Sequence, residues 1–121
     1  MTETRRKFHD ELDRLENQLF AMGELAAVAV RDAVDALIGH DLAKAQSVID
    51  GDDEIDALFV EIDQGVFSLM ALQAPVAGDL RLMSVLMHSS GHLERIADQA
   101  VNIAKLFEIP RPCRRARRSF R

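Results

Sequence analysis

The amino-acid sequence predicts an all-α fold, an antiparallel three-helix bundle, on three observations. Its 121 residues are 48% hydrophobic but only 5% aromatic, with no Trp or Tyr, so Leu, Ile, Val, Ala and Met must fill the core. Three Pro and six Gly interrupt the chain, which suits long helices joined by short connections. Apolar residues then recur at steps of three and four in three successive stretches, the period of an amphipathic helix. A chain of this size is one domain and can bury a core without help from disulfides or metal.

The first helix is expected over residues 5–39. Phe8, Leu12, Leu15, Leu19, Met22, Ala26, Val30, Ala33 and Leu37 form one stripe, and Gly39 before His40 is a natural stop. The second spans 41–74, with Asp41 as N-cap. Its stripe runs through Ile49, Ile55, Leu58, Phe59, Ile62, Val66 and Leu69. Gly51 is a point where it can bend, and Ala74 ends it because the residue before Pro75 is pushed out of helical geometry. The third, over 76–108, starts beside Pro75, a good first-turn residue. Its stripe is Leu82, Leu86, Ser89, Leu93, Ile96, Ala100, Ile103 and Phe107, and Pro110 and Pro112 end regular structure.

Charge divides the chain. Residues 110–121 hold six Arg and no acid, so the −5 of the whole becomes −11 for the rest, with nine Lys and Arg against twenty Asp and Glu. The division expected is a helical domain over 1–109 and a basic, disordered tail over 110–121. Such a tail can touch nucleic acid or anionic lipid. Lacking interleaved aromatics or a motif, it is read as disordered, with no nucleic-acid partner expected. No apolar run reaches the roughly 20 residues of a membrane span, and the charged N-terminus lacks the apolar stretch of a signal peptide. The lone Cys113 cannot pair internally, which fits a reducing cytoplasm.

No phosphate-binding glycine loop and no nucleophile with its base can be placed by spacing, so an enzyme is not expected. His88 and His92 stand four apart and can share a metal, although the residues between them, Ser89-Ser90-Gly91, lack the Glu of a zinc-protease helix. The plainer reading is two polar residues on a helix flank. The acids say more. Glu94 and Asp98 are four apart, as are Asp52 and Asp56, with Asn102 and Asp63 extending the two lines. At roughly 100° per residue, the Glu94–Asp98 face lies well away from the Leu93–Ile96 stripe. Carboxylates so spaced suit hard cations or iron if two helices bring them together. A solvated acidic face is the simpler alternative.

The run Ala74-Pro75-Val76-Ala77-Gly78-Asp79-Leu80-Arg81, followed by Leu93-Glu94-Arg95-Ile96-Ala97-Asp98-Gln99-Ala100-Val101-Asn102-Ile103, resembles the PhoU family of phosphate-signalling regulators. Phe8-His9-Asp10-Glu11-Leu12-Asp13-Arg14-Leu15 and Asp52-Asp53-Glu54-Ile55-Asp56 add to the likeness. The resemblance implies a three-helix repeat, normally present twice in one chain. It also implies iron or zinc clusters held by acidic pairs, matched here by Asp52 with Asp56 and Glu94 with Asp98. A cytoplasmic, dimeric or oligomeric negative regulator of phosphate uptake and starvation signalling follows from it. The implied partners are a sensor histidine kinase and the ATPase subunit of the phosphate transporter. One repeat followed by an Arg-rich stretch is the composition expected of a truncated or frame-shifted product, or of a short form. The stripe that would face the second repeat is then left for self-association. Two alternatives stand beside this one. A carboxylate-bundle enzyme is disfavoured because no Glu is followed three residues later by His. A ligand-free helical scaffold is the other.

Overall fold

The structure, a computed structural model, describes residues 2–72 and 77–107. Helix α1 spans Thr2–Gly39, α2 Leu42–Leu72 and α3 Ala77–Ala104, followed by a short 3-10 turn at Lys105–Phe107. All three helix pairs touch, in the antiparallel bundle the periodicity predicts. Among the described residues no helix is long and apolar enough to cross a membrane. The expected helix boundaries at Ala74, Pro75 and Val76, and the basic tail, lie outside the described residues.

The turn between α1 and α2 is built by local hydrogen bonds. His40 takes a left-handed φ of 55°, and the Asp41 N–H donates to the Ala36 carbonyl at 3.0 Å, which closes the end of α1 as a Schellman motif. The left-handed position therefore falls on His40, one residue beyond the predicted stop at Gly39. Asp41 caps α2 as expected: the Lys44 N–H donates to its carboxylate at 3.0 Å. At the other end, Arg5 pairs with the buried Asp79 at 3.0 Å and lies over the Phe8 ring. This ties the starts of α1 and α3 together.

The core has two parts. The larger packs Phe8, Leu12, Leu15 and Met22 of α1 against Ile55, Ile62, Val66 and Leu69 of α2 and Met83, Leu86 and Ala97 of α3. The smaller, toward the α1–α2 turn, is alanine-rich: Ala33, Ala36, Ala45, Val48, Ala100, Val101 and Ala104. In α1 the expected stripe holds except at its end, where Ala36 is buried and Leu37 is exposed.

In α3 the stripe is displaced. The buried line is Asp79, Met83, Leu86, Ser90, Ala97, Ala100, Val101 and Ala104, whereas Ile96 is 44% exposed. Leu86 and Ala100 of the expected stripe are buried as predicted, but the rest of the buried line runs beside it, through Met83 in the first half of the helix and through the small residues Ser90, Ala97 and Ala104 in the second. Leu82, Ser89 and Leu93 become a half-buried flank. The displacement moves Glu94 from an outer face into the line between Ser90 and Ala97.

Helix α2 runs through Gly51 without interruption. A Cβ at Gly51 would meet nothing within 4 Å, whereas one at Gly65 would lie 2.5 Å from Leu15 Cδ2, a fully buried side chain. Gly51→Ala is expected to stabilise the protein by about 0.5–1 kcal/mol through helix propensity. Gly65→Ala gains the same propensity but overpacks the core, for a net loss of about 1–2 kcal/mol. Urea unfolding of both variants measures the difference, and equal stabilisation would rule out a close α1–α2 approach at Gly65.

Candidate metal centre

Three of the four predicted carboxylates, Asp52, Asp56 and Asp98, come together, and Glu94 stands within reach of their charges. On α2 the buried positions Val48 and Ile55 flank Asp52 at steps of four and three, so Asp52 occupies a core position. On α3 Glu94 stands four residues after Ser90 and three before Ala97, both buried. Both acids are half-buried at these positions. One turn further along, Asp56 is half-buried and Asp98 exposed, so the site opens from the bundle interior to water.

One carboxylate oxygen from each of Asp52, Asp56 and Asp98 lies within 4.8 Å of the others. Glu94 lies near enough for the charges of Asp56, Asp98 and Asp52 to act on it. Two oxygens, Asp52 Oδ1 and Glu94 Oε2, are sealed from water with no hydrogen-bond partner among the described residues. Such atoms are costly to bury unless something else meets them. Asp63 and Asn102 are exposed and stay outside the group.

The electrostatics follow from this crowding. The Glu94 carboxyl is pushed up to about 8, first by burial, then by the neighbouring Asp56 and the charges of Asp98 and Asp52. Asp52 is raised too, by burial and by the charges of Asp56, Asp98 and Asp53, with Lys105 working against it. Near neutral pH the cluster therefore shares a proton, centred on Glu94 and its neighbours, that a cation can displace. The donor set is oxygen from carboxylates on two helices, the chemistry of hard divalent ions and of iron.

The histidines resolve differently. His92 lines a groove between α1 and α3, and His88 lines a separate cleft between α2 and α3. Although spaced four apart, they are on different clefts. The inward position of Glu94 was legible only from the small-residue line Ser90–Ala97–Val101. The larger residues beside it, Leu93 and Ile96, point the periodicity one residue away.

The comparisons with known proteins agree with the earlier resemblance. A family model described as PhoU domain matches residues 19–107. A phosphate-specific transport system accessory protein PhoU homolog of Zymomonas mobilis is 38% identical over 102 residues, covering 84% of this chain and 43% of its own. The homolog of Pseudomonas aeruginosa is 39% identical over 99 residues, 82% of this chain and 41% of its own. Homolog 2 of Mycobacterium tuberculosis is 35% identical over 102 residues, 84% and 48% of the two chains. The chain spans less than half the length of these curated relatives.

Proposed function

The chain belongs to the PhoU family, and from that membership we propose that it is a regulatory accessory protein of phosphate transport, acting by protein contact rather than by catalysis. The observation that carries this reading is its likeness, over more than four fifths of its length, to proteins named as accessory proteins of phosphate-specific transport. The regulation is negative, restraining phosphate uptake and the starvation response in the cytoplasm. The partners are a sensor histidine kinase and the ATPase subunit of the phosphate transporter. The direct test uses a phosphate-starvation reporter in a bacterium lacking its own PhoU protein. Expression of this chain is expected to lower reporter output in phosphate-rich medium, and unchanged output would sink the proposal.

Metal is part of the same proposal. Asp52, Asp56, Glu94 and Asp98 would hold iron or zinc, and their all-oxygen set favours iron over zinc. The sealed oxygens of Asp52 and Glu94 support the fit. A bound cation would neutralise the cluster and tie α2 to α3. The residues contribute ionised oxygens held by two rigid helices, and Glu94 gives up its proton when metal enters.

Self-association belongs to the proposal as well. A groove of about 670 Å³ between α1 and α3 is lined by Leu19, Phe20, Gly23, Ala27 and Leu93 with Glu24, Ser89 and His92 beside them; Phe20 is 66% exposed, and on α3 Val85 (51%) and Ile96 (44%) are exposed as well. An apolar flank of this kind suits a like surface, and we assign it to a second copy of the chain. Sedimentation is expected to give a dimer that Phe20→Glu with Ile96→Glu converts to monomer. A wild-type monomer at tens of micromolar would refute the assignment.

A further inference from the structure

We propose that the cleft between the end of α2 and the first half of α3 is a binding site for a soft monovalent metal ion, Cu(I). Three of the chain's five methionines, Met70, Met83 and Met87, line this one cleft of about 350 Å³ together with His88, Leu80 and Ser84. Met83 and Met87 stand one turn apart on α3, and Met70 faces them from α2. The exposure is unusual for the residue type: Met70 is 48% and Met87 42% exposed, whereas Met22 is fully buried in the core. Their thioethers are therefore reachable from solvent, and Met83 closes the floor at 1% exposure.

His88 is set up as a ligand. Its Nδ1 lies 2.8 Å from the Ser84 backbone carbonyl, with the Ser84 hydroxyl 3.3 Å away. A carbonyl only accepts, so the proton resides on Nδ1, and in the neutral ring Nε2 keeps its lone pair. A histidine that donates one ring N–H to a backbone carbonyl and offers the other nitrogen is the usual arrangement at metal sites. None of the six lining residues carries a carboxylate, a lysine or an arginine. Among the described residues a hard divalent ion thus has no ionic ligand in the lining, while neutral thioethers and imidazole are the donors that select Cu(I). Binding forms metal–sulfur and metal–nitrogen bonds without change of oxidation state. The carboxylate cluster, chemically opposite, is a separate site.

The test is a Cu(I) titration of the full chain under anaerobic, reducing conditions against a chromophoric Cu(I) chelator. One equivalent is expected to bind per chain. Met70→Leu with Met87→Leu conserves volume at exposed positions and is expected to weaken binding at least tenfold, as is His88→Gln. Asp52→Asn should leave it unchanged. In an Ag(I) titration followed by NMR, the methyl signals of Met70, Met83 and Met87 are expected to move while Met22 does not. Affinity unchanged in the methionine double variant, or no chelator competition by the wild type, overturns the proposal and leaves the cleft as a plastic apolar surface.

Discussion

Asp52→Asn combined with Asp98→Asn is expected to abolish metal binding while leaving the fold intact. The two residues lie on different helices and contribute two of the three oxygens that gather within 4.8 Å, so the double change removes the cross-helix grip. Each neutral amide keeps shape and an acceptor oxygen but loses the charge that attracts a hard cation. In the apo protein the same change relieves repulsion among Asp52, Asp56 and Asp98, so the variant should be at least as stable as wild type. The signature is a reversal of rank. Without metal the variant melts at or above wild type; with Fe(II) or Mn(II) at a hundred times its dissociation constant, wild type gains about 2.7 kcal/mol. That gain is roughly 10 °C in a domain of this size. Metal content and melting curves, with and without chelator, measure both arms. A variant that still gains stability from metal would place the ion elsewhere, and a wild type that gains none would leave the cluster a solvated acidic face.

What could be read from the sequence follows from what one-dimensional periodicity can carry. Phe8, Leu12, Leu15 and Met22 are large, regularly spaced and flanked by charge, so the inner line of α1 is unambiguous, and all four are buried. In the second half of α3 periodicity offers two adjacent lines, one through Leu93 and Ile96 and one through Ser90, Ala97 and Ala104. Side-chain size favours the first, while close packing between helices favours the second. That choice is made by the other two helices, which α3 alone cannot report. The site inherits the same ambiguity. The spacing of Glu94 and Asp98 was readable, but their difference in burial was not, because it depends on which line faces inward. The methionine cleft was less legible still: Met70 and Met83 share a cleft only because α2 packs against α3. Asp52 left a trace, since it sits at a core step between Val48 and Ile55.

The pH dependence of stability gives the second large effect, and its sign depends on metal. In the metal-free protein Glu94 has its carboxyl raised from an ordinary 4.5 to about 8, so the folded state binds this proton more tightly than the unfolded chain. Its contribution is fully present below about 4.5 and is lost as pH rises toward 8, after which it is flat. Asp52, raised from its ordinary 3.8, acts with the same sign. Glu94→Gln removes the larger effect without removing the side chain. The variant is expected to track wild type near pH 4.5, to pull ahead as pH rises, and to lead by a constant margin above pH 8. At about 1.4 kcal/mol per unit, discounted because the site opens to water, that margin is about 2 kcal/mol. With saturating divalent metal the wild-type slope inverts, because binding requires ionised carboxylates and releases the Glu94 proton; its stability then rises through the window in which the apo protein loses it. Urea unfolding at pH 5, 6.5 and 8, with and without metal, reads out both slopes. Parallel wild-type and Glu94→Gln profiles in the absence of metal would show that Glu94 ionises like a surface residue, and the buried acid could no longer be what metal entry relieves.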